Sequence, residues 1–384
     1  MSDVYGHTPV EKMFAGADVY GVGHDPERAE RPPVRLGLIG AGGVAQSKWL
    51  PALWRLRTLW DPVELVAIAD PADDQGRKVA RQYGCTWYPD HTELLATGGL
   101  DAVVVASPDR LHAEHARHAV DMGLAVLVEK PFCTSLVDAE ELCRASEKQG
   151  TALMPVANLR FSPPFRRARQ AAEEMPGLEG PKVLLGKMHL GYDYVDLLED
   201  ATVHLFDLTR FLLGDAKTVS ARSVGGPAGR HPYPFGQAAI TLEFDSGSVA
   251  QLFTSSTALS LKPWLRVELH GRGTWLVVDD VWELVIYDDE IGPAQSWRPV
   301  MASTLLFDEE FGGYLPQLEH FLQVARGQER PSVTAVDGYR AAELIAATHL
   351  AIRHGRDVPL PLDPEEADQE LAALRRTWLG VAAD

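Results

Sequence analysis

Cysteine is scarce in this sequence, with only Cys85, Cys133 and Cys143 in 384 residues. Odd in number and without a CxxC pair, they support neither a disulfide framework nor a zinc knot, and a reducing cytoplasm is the expected compartment. Positive charge is in deficit too: 36 Lys and Arg stand against 54 Asp and Glu, for a formal net charge of -18. With no basic stripe to offset it, that balance opposes a sequence-independent grip on nucleic acid or on an anionic membrane surface. Long apolar runs are missing as well. Nothing reaches membrane-spanning length, and Met1 to Pro33 contains neither a signal-peptide core nor a twin arginine, so neither insertion nor export is expected. Internal repeats and low-complexity tracts do not stand out, which argues against a solenoid or an array.

What is present is a hydrophobic content of 46%, enough at this length for two packed domains. Residues 1–33 mix Gly, Pro and acids with Tyr5, Phe14, Val19 and Tyr20. Those anchors suit an arm lying on the protein's own body or on a partner subunit better than a solvating tail. From Val34 short apolar runs alternate with helical stretches: Arg35–Gly40, Val63–Asp70, Asp101–Ser107, Leu124–Lys130 and Thr151–Asn158. Near-continuous apolar strands of this kind are buried on both faces of a parallel sheet, so residues 34–158 form a first domain. A helix led by Pro163 and Pro164 then crosses to a second domain, spanning 159–362. Here Lys182–Leu190, Gln237–Phe244, Ser248–Ser255, Trp264–Gly271, Thr274–Val278 and Trp282–Tyr287 read as strands, with Asp245-Ser246-Gly247 and Gly271-Arg272-Gly273 as hairpin turns. Helices are expected at Val203–Leu213, Tyr314–Ala325 and Ala335–His354, the last opened by a Thr334/Asp337 capping box. Residues 363–384 read as a helical tail.

Directly after the first strand, Gly40-Ala41-Gly42-Gly43-Val44-Ala45 is a GxGxxA fingerprint opening a helix. Gly40 permits the tight turn, Gly42 and Gly43 let backbone approach a pyrophosphate, and Ala45 allows close helix packing while amides beyond Val44 face the anion. Asp70, at the tip of the second strand, is placed to take the adenosine ribose hydroxyls. Its charge would repel a 2′-phosphate and no arginine adjoins it, so NAD is expected rather than NADP. The fold class is therefore α/β, a Rossmann doubly wound parallel sheet followed by an α/β domain with an open, mainly antiparallel sheet.

The fourth of the apolar runs ends in Glu129-Lys130-Pro131, which puts a lysine at the carboxyl edge of the sheet, where ligands of open α/β folds bind. Pro131 holds Lys130 to extended geometry and is able to take a cis bond. Together with the fingerprint, Ser107-Pro108-Asp109-Arg110-Leu111-His112, Asn158-Leu159-Arg160-Phe161-Ser162-Pro163 and Glu319-His320-Phe321, this motif resembles the Gfo/Idh/MocA oxidoreductases from Val34 to about Leu362. The resemblance implies that Lys130 contacts nicotinamide and substrate. It also implies that Ser107, Pro108, His112 and Glu129 line the cofactor, and that Asn158 and Arg160 touch substrate or nicotinamide. Asp200-Ala201-Thr202-Val203-His204 is similar to the family's Asp-x-Gly-x-His element.

Oxidising a secondary alcohol needs a base for the hydroxyl proton, and histidine titrates near neutrality. His204 is the candidate base, Asp200 its orienting group or a hydroxyl ligand, and Lys130 the stabiliser of the developing alkoxide. Thr202, in place of glycine, is expected to narrow the cleft. Tyr192 to Glu199 replaces the family's glycine-rich approach, with Tyr192 facing substrate, and Asp193, Asp196 and Glu199 would suit ammonium groups of an amino sugar. His112, His115 and His118 share a helix without a metal-binding spacing, so no metal is expected. The resemblance further implies an exposed sheet face and a homodimer or homotetramer, with a sugar or cyclitol as substrate. The alternatives are a regulator that binds dinucleotide without turnover and an NAD-dependent glycoside-cleaving enzyme.

Overall fold

The computed structural model describes residues 30–58, 61–191, 196–224, 236–258, 263–288, 292–298 and 311–378. Tyr192, Asp193 and the four aromatic or valine anchors of the N-terminal arm lie outside the described residues. The first domain is a six-stranded parallel sheet of β1 (Val34–Ile39), β2 (Val63–Ala69), β3 (Thr86–Tyr88), β4 (Ala102–Val105), β5 (Ala125–Val128) and β6 (Leu153–Pro155). Its order is β3-β2-β1-β4-β5-β6. Every residue of β4 and β5 is buried, as helices on both faces require. Those helices are α1 (Leu50–Thr58), α2 (Asp73–Tyr83), α3 (His91–Ala96), α4 (His112–Asp121) and α5 (Leu136–Gln149). Asp90 caps α3 by accepting from the amides of Thr92 and Glu93, and left-handed Gly84 and Gly150 stop α2 and α5.

After α6 (Asn158–Phe161) and α7 (Pro163–Glu174), the chain builds a nine-stranded sheet. Its strands are β7 (Val183–His189), β8 (Ala216–Val224), β9 (Gln237–Phe244), β10 (Val249–Ser255), β11 (Leu265–His270), β12 (Thr274–Asp279), β13 (Glu283–Asp288), β14 (Gln295–Trp297) and β15 (Val358–Pro359). They run in the order β14-β13-β12-β11-β7-β10-β9-β8-β15, with only β7 and β10 paired in parallel among the described strands. One face packs under α8 (Val203–Leu213) and α10 (Ala335–His354), whose expected capping box is present. In β9 the apolar Ala238, Ile240, Leu242 and Phe244 all point to that covered face. The open face draws its apolar character from β7 and β10 instead, through exposed Val183, Leu185 and Phe253.

Two helices cross back toward the first domain. α9 (Tyr314–Ala325) buries Leu315, Leu318, Phe321 and Leu322 against β1 residues Leu36 and Leu38 and against α1. Sequence order puts α9 in the second domain, but its core is that of the first. α11 (Pro364–Trp378) contributes Ala367, Leu371 and Leu374 to the second core while Asp368 reaches α5. Among the described residues no helix is long and apolar enough to cross a membrane, and all three cysteines are free thiols.

Candidate active site

The carboxyl ends of β1, β2, β4 and β5 make the first wall of the cleft. Gly40 has φ +97°, and a side chain there would collide with the Ala106 carbonyl. Ala45 is fully buried under the turn. Gly42 and Gly43 differ: a Cβ on either would meet no protein atom within 4 Å. Nothing in the chain itself requires glycine at these two positions, so the bare backbone fits a ligand that approaches it, as a dinucleotide pyrophosphate does. Asp70 is buried, accepting from the amides of Ala41 at 2.7 Å and Ala72 at 2.8 Å. It therefore braces the glycine turn against the exit of β2.

Two groups expected to line the cofactor act as scaffold. Glu129 accepts from Trp49 Nε1 at 2.8 Å and from the Lys130 amide at 3.0 Å. Burial raises its carboxyl above the usual range. His112, fully buried, sets Nδ1 2.8 Å from the Pro131 carbonyl oxygen and Nε2 2.8 Å from that of Ser107. It stitches the exits of β4 and β5 together, with Ser107 and the exposed Pro108 at the rim. The Lys130–Pro131 peptide is cis.

The second wall starts at Leu197–Thr202, a wide π-helical turn running straight into α8. Such turns are uncommon and recur at functional sites. Asp196 caps it, accepting from the amides of Leu198 at 2.7 Å and Glu199 at 2.9 Å. Thr202 is buried and its hydroxyl donates to the Leu197 carbonyl at 2.7 Å. Its side chain closes the turn from inside, so the expected narrowing of the cleft does not occur.

Across the cleft, Lys130 Nζ donates to Asp200 Oδ1 and to the Asp200 carbonyl, both at 3.2 Å. The other carboxylate oxygen, Oδ2, accepts from the Asp196 amide at 2.9 Å. Asp200 thus holds Lys130, and among the described residues no hydrogen bond joins it to His204, which bears on its expected orienting role and not on that of a hydroxyl ligand. His204 follows one turn later, half-buried, and burial together with the Lys130 charge pushes its imidazole down to about 3. So low a value keeps the ring neutral, as a base must be before it takes a proton, yet it departs from the near-neutral titration expected of His204 and makes it a weak base in the free enzyme.

Of the outer substrate candidates, Asn158 is buried with Nδ2 donating to the Gly312 carbonyl at 2.7 Å, while its Oδ1 has no hydrogen-bond partner. Arg160 is held by Asp207 at 2.6 and 2.9 Å and by Asp337 at 3.2 Å. Its guanidinium ties α6 to α8 and α10, an interior role in place of the expected substrate contact.

Sequence reasoning missed Arg375, Asp368, Asp109 and Gly313. Arg375 of α11 donates to Glu199 Oε1 at 2.8 Å and to the Thr134 carbonyl at 3.3 Å. One face of α11 also carries Asp368, which accepts from Ser135 Oγ at 2.7 Å and from the amides of Leu136 and Val137 at 3.0 Å. Burial and Asp196 raise Glu199 to about 7, against the pull of Arg375. With Asp196 capping and Glu199 paired, neither is free for an ammonium group. Asp109, near Lys130 and Asp200, is raised by burial and by the Asp200 charge. Gly313, at φ +83°, passes so close to the Asn158 carbonyl that a side chain would strike it. No local motif announces Arg375 or Gly313; both matter through partners far away in the chain.

A parallel sheet with a bare-glycine turn, a strand-end lysine and a facing Asp/His turn defines a dinucleotide-dependent oxidoreductase. The chain belongs to the Gfo/Idh/MocA family: residues 34–156 match its oxidoreductase family NAD-binding Rossmann fold and residues 197–360 its C-terminal alpha/beta domain. It is 26% identical to D-apiose dehydrogenase of Paraburkholderia graminis over 78% of this chain and 84% of that one. Identity is also 26% with myo-inositol 2-dehydrogenase of Thermotoga maritima, over 85% of this chain and 98% of the relative. A solved levoglucosan dehydrogenase, in complex with NADH and levoglucosan, superposes with a TM-score of 0.77 at 18% identity, covering 86% of this chain and all (100%) of that one. The protein is thus an NAD(P)-dependent enzyme acting on CH–OH groups.

Proposed function

We propose that this enzyme interconverts a secondary hydroxyl and a ketone on a sugar or cyclitol ring, using NAD, with Lys130 and His204 managing the proton at the reacting oxygen. The observation that carries the reading is the 3.2 Å contact between Lys130 Nζ and Asp200. It joins the edge of the nucleotide-binding sheet to the turn that leads into His204. Gly40, Gly42, Gly43, Ala45 and Asp70 would hold the cofactor, which when bound supplies the hydride acceptor. Lys130, anchored by Asp200, lowers the energy of a developing alkoxide by placing an ammonium beside it. His204, neutral before reaction, takes the hydroxyl proton in oxidation and returns it in reduction. A regulator that only binds the dinucleotide needs no such set around the nicotinamide. Glycoside cleavage would use the same chemistry transiently and shows itself as free sugar without net NADH.

The relatives direct the search for substrate to myo-inositol, D-apiose and levoglucosan, extended to amino sugars. The test is NADH formation from NAD across that panel. Turnover of one ring alcohol supports the reading, and no turnover of any member with intact NAD binding overturns it in favour of a regulator.

Asp70 supports NAD over NADP, and the low cysteine count supports a cytoplasmic setting. The open sheet face bearing Val183, Leu185 and Phe253 supports a homodimer or homotetramer. Light scattering at micromolar concentration should show an oligomer that Phe253→Lys weakens; a wild-type monomer would contradict the assembly.

A further inference from the structure

On the side of the first domain that backs Ser107, His91 opens α3 immediately after its capping Asp90. Facing it, α4 carries Glu114 and His118, four residues apart and therefore on one helix face. His91 Nε2 lies 2.7 Å from His118 Nδ1. One ligand atom from each of His91, Glu114 and His118 falls within 4.8 Å of the other two. We propose that these three residues bind a divalent transition metal of the zinc class.

Two imidazole nitrogens and one carboxylate oxygen are a donor set that zinc accepts, with water completing a tetrahedron. Nitrogens bound to one tetrahedral zinc at about 2.0–2.1 Å stand roughly 3.3 Å apart, so on binding the two rings part by about half an ångström and turn so that both nitrogens face the metal. On binding, the metal replaces the proton now shared between the two nitrogens, which moves to another ring nitrogen or to solvent. His115 backs the ring of His91 at a centroid distance of 4.1 Å and is itself fixed by Ser107 Oγ at 2.9 Å. This ring contact limits how far the His91 imidazole can turn away from α4. Helical spacing alone cannot find this set, because the completing ligand, His91, comes from a different helix.

A metal here would cross-link the start of α3 to α4 and stabilise the native chain by mass action. The experiment is calorimetric titration of Zn²⁺ into tag-free, chelator-treated full-length protein, with Mg²⁺ as control and His91→Gln and His118→Gln as variants. Both variants change partly exposed side chains, and their NAD binding reports that they are folded. One equivalent of Zn²⁺ should bind the parent chain and raise its melting temperature. Affinity should fall at least about tenfold in each variant, as loss of one of three ligands implies. Absence of one-to-one binding in the parent, or unchanged affinity in the folded variants, overturns the site.

Discussion

On the first-domain wall of the cleft, the functional groups hang from strand ends. Gly40, Asp70, Glu129 and Lys130 leave a sheet whose central strands β4 and β5 are fully buried, and His112 and Glu129 fasten its exits to one another and to Trp49, just before α1. On the facing wall, Asp200 rides a wide helical turn held by a few side-chain bonds: the Asp196 cap, the Thr202 hydroxyl and the Arg375–Glu199 pair from the end of the chain. Sheet backbone fixes the first wall, whereas contacts between distant segments fix the second. Binding of the dinucleotide should therefore resist changes on the second wall, while turnover should be sensitive to both.

The largest effect is expected at the one residue that touches both walls. Lys130→Ala should cut kcat by about 10²- to 10⁴-fold, the range for removal of a positioned catalytic group, with the melting temperature little changed. Steady-state kinetics with a substrate found by screening checks it, and parent-like turnover would dissolve the link between the walls.

Next comes a first-wall effect. Like charges about 4 Å apart cost roughly 1–4 kcal/mol at effective dielectric constants of 80 to 20, so Asp70 should make NAD bind at least about fivefold more tightly than NADP. Asp70→Ser should narrow that ratio. Equal affinities in the parent would mean that Asp70 only braces the turn.

Smaller changes are expected from the second wall's outer support. The Arg375–Glu199 pair is partly exposed, so breaking it should cost about 1 kcal/mol or less, read as a fall in kcat of a few-fold with NAD affinity unchanged. Arg375→Lys should recover most of it. Glu199, raised to about 7, loses its charge and its pairing as pH falls through that value, so kcat should decline on the acid side of neutrality. Because the limb comes from losing this pairing, Arg375→Met should remove it and leave kcat at its lowered level across the range. A limb that stays put would leave α11 a purely structural element.

The same contrast explains how much could be read from the chain. Strands β1, β2, β4 and β5 and helices α8, α9 and α10 follow from apolar runs and helical spacing. β3 was missed because it is three partly exposed residues at an edge, and β8 because Lys217, Ser220 and Arg222 break its apolar signal. At the site, the positions of the glycine turn, Asp70 and Lys130 at strand ends were legible because they follow from neighbours in sequence. Arg160 and Thr202 were assigned outward roles although both point inward, since side-chain direction there depends on Asp207, Asp337 and the Leu197 carbonyl. Arg375 meets Glu199 only because α11 folds back across α5.

The central claim is a division of labour: the first wall holds NAD, and the second takes the proton through His204. His204→Ala tests it most directly, with NAD affinity by calorimetry and turnover measured on the same preparation. The account predicts an NAD dissociation constant within about twofold of the parent and a kcat lower by roughly 10²- to 10⁴-fold. Parent-like turnover, or a loss of NAD affinity that accounts for the whole deficit, would contradict it.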